Sequence, residues 1–304
     1  MAKYLVGDVV RHWREQSGMS IEELAAGIMN KSNLWKLENG ISMPTKKHLE
    51  QLFEKLGINP NNLVAIFLDN NLAEVQKLTD ALDSSLATGN TTESARLIAQ
   101  LEDNVEFSKS KFNIQYLLAA KAGYAVRIGK PPEKVLEILM SASMASRTSF
   151  DEDKIATYFL TKTDFTILNM MATQYFKLED GKNRTINILY GLKKNVEDKC
   201  IDKIERGQRY PSIIYNLTKY LGLMGKDEDV IPLCDEGIRV CLETSSLRLL
   251  PHISYNKVHS LYNMKEQAAG ETLLRELYYA CCLHQLHELK SYAKQLADKH
   301  GVVL

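Results

Sequence analysis

Proline is scarce, seven residues in 304, so little in the chain interrupts long helices. Valine-rich alternating runs closed by tight turns are missing as a pattern. The Asn39-Gly40 and Asp180-Gly181 pairs sit between helical stretches instead of joining strands. Charge of one sign does not dominate, since 38 Lys and Arg balance 38 Asp and Glu, which excludes a polybasic coat for nucleic acid or membrane. Charge-free runs such as Phe165 to Phe176 are too short for a bilayer span. No apolar signal region precedes Asp8, so a cytoplasmic protein is expected. The five cysteines are an odd number without framework spacing, and reduced thiols follow.

Chemistry is also thin. The chain holds no G-x-x-x-x-G-K-[ST] phosphate loop and no local frame around a Ser or Cys nucleophile. On a helix Cys281 and His284 share a face, but Cys282 and His287 turn away from it, so these four do not form a local tetrahedral metal site. Cys234 and Cys241, seven apart on one face, read as core. No enzyme, cofactor or metal is expected.

What is present is apolar residues, 45% of the chain, recurring at three and four positions. The fold class expected is all-α. Residues 1 to about 67 break into short helices with clear punctuation. Ser20 opens Ser-Ile-Glu-Glu, with capping-box spacing to Glu23. Gly18 before it suits the end of a first helix whose apolar stripe reads Val6, Val10 and Trp13. Asn30 is a second N-cap, and Asn39-Gly40 stops the helix it opens. Pro44 starts a fourth helix bearing Leu49, Leu52, Phe53 and Leu56, with Gly57 as its stop. The third helix buries Leu34 and Leu37, leaving Lys31, Ser32 and Lys36 on its other face. Trp35 is expected partly buried in helix packing.

Two short helices joined by a tight turn make a helix-turn-helix. The stretch from Gly7 through Ser20-Ile21-Glu22-Glu23-Leu24-Ala25 to Leu37-Glu38-Asn39-Gly40 resembles the phage-repressor (Cro/C1, or XRE) type of DNA-binding domain. Its shortened turn, containing Gly27-Ile28, resembles the version in the PlcR, Rgg and PrgX group of peptide-sensing regulators. The resemblance implies that Lys31, Ser32 and Lys36, with Asn33 beside them, face operator DNA bases. Ser20 and Asn39 fall at backbone contacts, and Arg14 and Glu38 at an internal ion pair. Ile21 departs from the pattern, where Gln usually contacts a phosphate.

From Asn59-Pro60 a short helix (Leu63 to Leu68) leads into a second domain, residues 72 to 304. Helix-turn-helix units recur there around Gly129, Gly181, Gly225 and Lys265, at a period drifting from about 50 to about 40 residues. The architecture expected is a right-handed TPR-like solenoid, with residues 285 to 300 as a polar capping helix. Anchored on their turns, three successive first helices carry Asn169, Asn216 and Asn256 in similar places. A carboxamide both donates and accepts, so a column of three suits an extended peptide backbone. Thr173, Lys219, Tyr220 and His259, one turn on, would share the groove.

Such a column is similar to the device of the PlcR-type regulators. The resemblance implies a regulator that binds operator DNA as a homodimer and answers to a short signalling oligopeptide. A scaffold that binds a protein partner, as in antitoxin or phage-type regulators, is the alternative.

Overall fold

The computed structural model describes residues 6–56, 70–108, 110–147, 149–199 and 203–304. The short helix expected over Leu63 to Leu68, the Asn59-Pro60 linker, the Gly57 stop and Cys200 lie outside these residues. Every regular element among the described residues is helical. The chain divides into two compact units, Met1–Phe107 and Ser108–Leu304.

The first unit begins with α1 (Val6–Gln16), α2 (Ile21–Ala25), α3 (Lys31–Glu38) and α4 (Lys46–Lys55). Ser20 and Glu23 complete the expected capping box: Ser20 Oγ accepts from Glu23 N–H at 3.1 Å, and Glu23 Oε2 accepts from Ser20 N–H at 2.7 Å. Asn30 caps α3 through Oδ1, which accepts from Asn33 N–H at 2.8 Å. The cap of α4 is Thr45, not Pro44; its hydroxyl accepts from His48 N–H at 3.2 Å. Val6, Val10, Leu24, Leu34, Leu37, Leu49, Leu52 and Phe53 close a small core. Gly7 lets α1 press onto the end of α3, because a Cβ there would stand 2.0 Å from the Leu37 carbonyl oxygen.

The stripe on α1 differs from the expected one. Trp13 is 40% exposed, and Arg14 takes the buried position one turn after Val10. Trp35 is also turned outward at 50% exposure, so it does not pack between helices. The same unit continues with the paired helices α5 (Asn70–Thr88) and α6 (Thr91–Glu102), joined by a turn at Gly89 and the N-cap Asn90, and the single turn α7 (Val105–Ser108) begins at its end.

The second unit is a run of helix pairs. These are α8 (Lys111–Arg127) with α9 (Pro132–Ala145), α10 (Lys162–Tyr175) with α11 (Lys182–Lys199), α12 (Lys203–Leu223) with α13 (Asp227–Glu243), and α14 (Leu250–Asn263) with α15 (Gln267–Leu283). The last helix, α16 (His287–His300), covers the end, burying Leu289, Ala293, Leu296 and Ala297 and exposing its polar side. First helices pack on first helices of the next pair as well as on their own partners, as a solenoid requires.

The two last pairs repeat with an interval of 40 residues. Gly225 and Lys265 both take left-handed backbone conformations (φ 72° and 63°), as do Ser245 and Gln285 (φ 56° and 55°). Asn216 pairs with Asn256, and buried Cys241 with buried Cys281, at that same interval. Lysine and glutamine at positive φ show that tertiary packing sets these turns, against the local cost to a residue with a Cβ. Burial pushes the Cys234 thiol up to about 12 and that of Cys241 to about 11, so both act as small apolar fillers.

Candidate DNA-reading face and ligand cleft

On the head, α3 buries Leu34, Leu37 and Glu38 and turns Lys31, Ser32, Asn33 and Lys36 to solvent. The scaffold beneath is an ion pair between helices. Arg14 Nε donates to Glu38 Oε1 at 2.7 Å and Nη2 to Oε2 at 2.9 Å, while Nη1 holds the Met19 carbonyl at 3.0 Å. Hydrogen bonding to Glu38 holds the Arg14 guanidinium above its ordinary pKa, against the opposing effect of burial. The bidentate pair fixes the angle between α1 and α3, and so the presentation of α3.

The candidate DNA residues are not equally free. Lys31 Nζ is paired with the Glu22 carboxylate of α2, both groups being exposed. Asn39 accepts from Arg11 Nη2 at 2.9 Å and donates to the Trp35 carbonyl at 2.7 Å, so its side chain braces the end of α3. The Ser20 hydroxyl is occupied in the capping box. Ser32, Asn33 and Lys36 are exposed on the same helix. Arg11 was not legible as part of this network, because nothing in its spacing to Asn39 marks a contact across 28 positions. Ile21, half-buried, packs against the head's core.

In the repeats, a cleft of about 830 Å³ opens along α12, α14 and the start of α16. It includes Asn256, Lys219 and His259 from the expected groove. Its other lining residues include Tyr215, Thr218, His252, Tyr255, Ser260, Asn263, Glu288 and Tyr292. Rings meet edge to face: Tyr215 with His252 at 5.7 Å and Tyr255 with His259 at 4.7 Å, and Tyr255 lies 6.4 Å from Tyr292. Burial lowers both His252 and His259 below the ordinary imidazole value of 6.5, so the two rings are neutral at pH 7. Tyr215 and Tyr255 directly precede Asn216 and Asn256 in the repeat; the contributions of α16 were not legible, since it has no equivalent Asn.

The asparagine column is built differently from the expectation. Asn216 Nδ2 donates to Asn169 Oδ1 at 3.1 Å, and Asn169 Nδ2 donates to the Phe165 carbonyl at 3.1 Å. Both residues, with Thr173, whose hydroxyl donates to the Asn169 carbonyl at 3.0 Å, fall outside the lining of this cleft. Asn256 does line it, but its Nδ2 is engaged by the Tyr215 carbonyl at 3.1 Å and the Thr218 hydroxyl at 2.9 Å. Its Oδ1 remains as the acceptor available to a ligand. Tyr220 is a correction: it is 4% exposed and its ring lies tilted against Phe176 at 4.4 Å, in the core and not in the groove. On α12 a residue one position beyond Lys219 turns about 100° away, which carries Tyr220 inward.

His252 and Asn263 both line the cleft and lie eleven positions apart on α14, a rise of about 16 Å, which matches an extended chain of roughly five residues. Charges are placed along it. Asp227 accepts from Asn263 Nδ2 at 3.2 Å, Glu288 accepts from the Tyr292 hydroxyl at 2.9 Å, and Lys219 is exposed. No group of three or more His, Cys, Asp or Glu residues able to hold a metal occurs among the described residues. No described helix is long and apolar enough to cross a membrane.

Comparison with known proteins agrees with this anatomy. Residues 10–63 match the helix-turn-helix family model HTH_3. No curated protein sequence matches the chain. Among solved structures, Bacillus thuringiensis PlcR in complex with the peptide PapR7 and DNA is similar at 15% identity and a TM-score of 0.70, covering 95% of this chain and 98% of that one. ComR from S. thermophilus, in complex with DNA and its signalling peptide ComS, is similar at 13% identity and a TM-score of 0.59, covering 97% and 99%. The SHP pheromone receptor Rgg2 of Streptococcus dysgalactiae follows at 14% identity and 0.61, covering 97% and 99%. These likenesses establish the fold: all-α, a repressor-type helix-turn-helix followed by a right-handed TPR-like solenoid.

Proposed function

We propose that this chain is a cytoplasmic transcription regulator with no catalytic role, whose operator binding is controlled by a short signalling peptide. In this reading residues 1–67 are the DNA-binding head and residues 72–304 the ligand-binding and dimerisation domain. Repressor-type heads read half-sites one helical turn apart, so the active species is a homodimer. Lys31, Ser32, Asn33 and Lys36 contact base edges from the major groove, and Ser20 and Asn39 stand near the phosphates. Lys31 exchanges its Glu22 partner for DNA on binding.

The observation that carries the peptide half is the cleft, which has the length of about five extended residues and is lined by rings and single polar groups. Such a lining suits a peptide better than a flat protein surface. The similar solved proteins described with peptides lend support. Peptide binding alters DNA affinity only by favouring one arrangement of the dimer.

Selection of operators from random duplexes, followed by titration with peptides retained by the purified protein, tests the reading. Enrichment of a two-fold symmetric site whose affinity shifts on adding peptide supports it. Symmetric operator binding that no peptide alters favours the alternative, a scaffold answering to a protein partner.

A further inference from the structure

The end of the cleft around Glu288 has a composition that the peptide reading alone does not explain. Tyr215, His252, Tyr255 and Tyr292 supply π-faces and edges there, linked by the ring contacts described above. The imidazole among them is neutral, so it adds no repelling positive charge. Glu288 stands at the rim in the first turn of α16, accepting a hydrogen bond from the Tyr292 hydroxyl at 2.9 Å. Its negative charge is felt by both half-buried Tyr215 and His252. Arg248, the nearby cation on the approach to α14, is exposed.

A carboxylate flanked by tyrosine rings is the arrangement that holds an ammonium or guanidinium, through one charge-assisted hydrogen bond and the quadrupoles of the rings. We infer that Glu288, Tyr292, Tyr255 and Tyr215 form a subsite for an organic cation of the bound peptide, either its amino-terminal ammonium or a Lys or Arg side chain. The inference rests on the peptide reading for its ligand. It adds which chemistry the ligand must carry at that end. The opposite end, at Asp227 and Asn263, has a carboxylate already hydrogen-bonded to the neighbouring amide, with the His259 imidazole and no tyrosine from the cleft lining beside it, so the cation is placed at the Glu288 end.

The experiment uses the full chain and a positional-scanning library of pentapeptides, prepared with free amino termini and again acetylated, with retained peptides identified by mass. Agmatine, a guanidinium without a carboxylate, is titrated calorimetrically as a second probe. Wild-type protein and Glu288→Gln are compared; glutamine retains an acceptor for Tyr292 and preserves the fold, checked by circular dichroism. The expected result is enrichment of cationic peptides and a loss of roughly tenfold or more in their affinity in Glu288→Gln, with neutral peptides unaffected. Loss on acetylation alone assigns the terminal ammonium; retention of acetylated peptides bearing Lys or Arg assigns the side chain. Peptides retained without cation preference, and equally by Glu288→Gln, overturn the subsite while leaving the peptide reading intact. Agmatine binding that depends on Glu288, with no peptide retained, does the reverse. If neither probe binds, both fall.

Discussion

Asn216 reaches across from α12 to α10 and donates to the side-chain oxygen of Asn169 at 3.1 Å. Forty residues on, Asn256 reaches back from α14 to the Tyr215 carbonyl and the Thr218 hydroxyl of α12. The three amides therefore tie successive first helices together, and only Asn256 lines the cleft. A ligand that engages Asn256 meets an amide already partnered to α12, so binding and the spacing of α12 and α14 are linked.

The first consequence concerns stability without any ligand. Asn256→Ala removes both of its bonds to α12 and should destabilise the free protein by about 1–2 kcal/mol. Urea unfolding followed by circular dichroism measures this. Stability equal to wild type would mean these bonds contribute nothing and the residue serves the ligand alone.

In the head, Arg14→Ala removes both short hydrogen bonds to Glu38, which is 3% exposed, and leaves it only the longer Arg11 contact at 3.8 Å; it should cost about 2 kcal/mol. Its melting temperature should fall before its sequence preference changes. Altered operator choice with unchanged melting would move Arg14 from scaffold to recognition.

Lys31→Ala and Ser32→Ala should each weaken binding to a selected operator by about tenfold or more while leaving scrambled DNA little affected. Glu22→Gln should act oppositely for affinity, releasing Lys31 from its surface partner. Gel-shift titration at fixed salt checks both, and equal loss on all sequences would place Lys31 on phosphate.

Protons should loosen the cleft. His252 and His259 have imidazole values lowered by burial, opposed on the first by a backbone hydrogen bond at Arg248 and reinforced on the second by the charges of Lys299 and His300. The unfolded chain then binds more protons than the native one as pH falls through and below 6.5. The stability these groups contribute is complete above that value and is lost as pH drops toward their folded values. Unfolding midpoints measured from pH 7.5 to 5 should decline, and His252→Gln with His259→Gln should flatten that decline.

Gly237 on α13 sits where a Cβ would stand 2.6 Å from Ile214 Cγ2 and 3.3 Å from Ile253 Cδ1. Gly237→Ala should cost about 1–3 kcal/mol by overpacking α12, α13 and α14. A thermal melt matching wild type would show that Ile214 relaxes freely.

The sequence made the caps and the helix periods legible because those signals are local: Ser20 with Glu23, Asn30 with Asn33, and the repeated turns at Gly225 and Lys265. The Arg14–Glu38 pair was legible only through resemblance. Positions that depend on tertiary rotation were not readable. Trp13 and Arg14 are neighbours on α1, and only the approach of α3 at Gly7 decides which one is buried. Tyr220 sits next to Lys219, yet one step around α12 carries it from cleft to core. The cleft's far wall comes from α16, which breaks the asparagine pattern, so repeat alignment could not reveal Glu288 or Tyr292.

Operator affinity measured with and without a saturating peptide from the retained set, in wild type and in Asn256→Ala, tests most directly whether the cleft governs the head. The expected result is a shift of roughly five- to 150-fold in wild type, reduced in the variant because its cleft has lost the Asn256 acceptor. An identical operator affinity with and without bound peptide in wild type would contradict it.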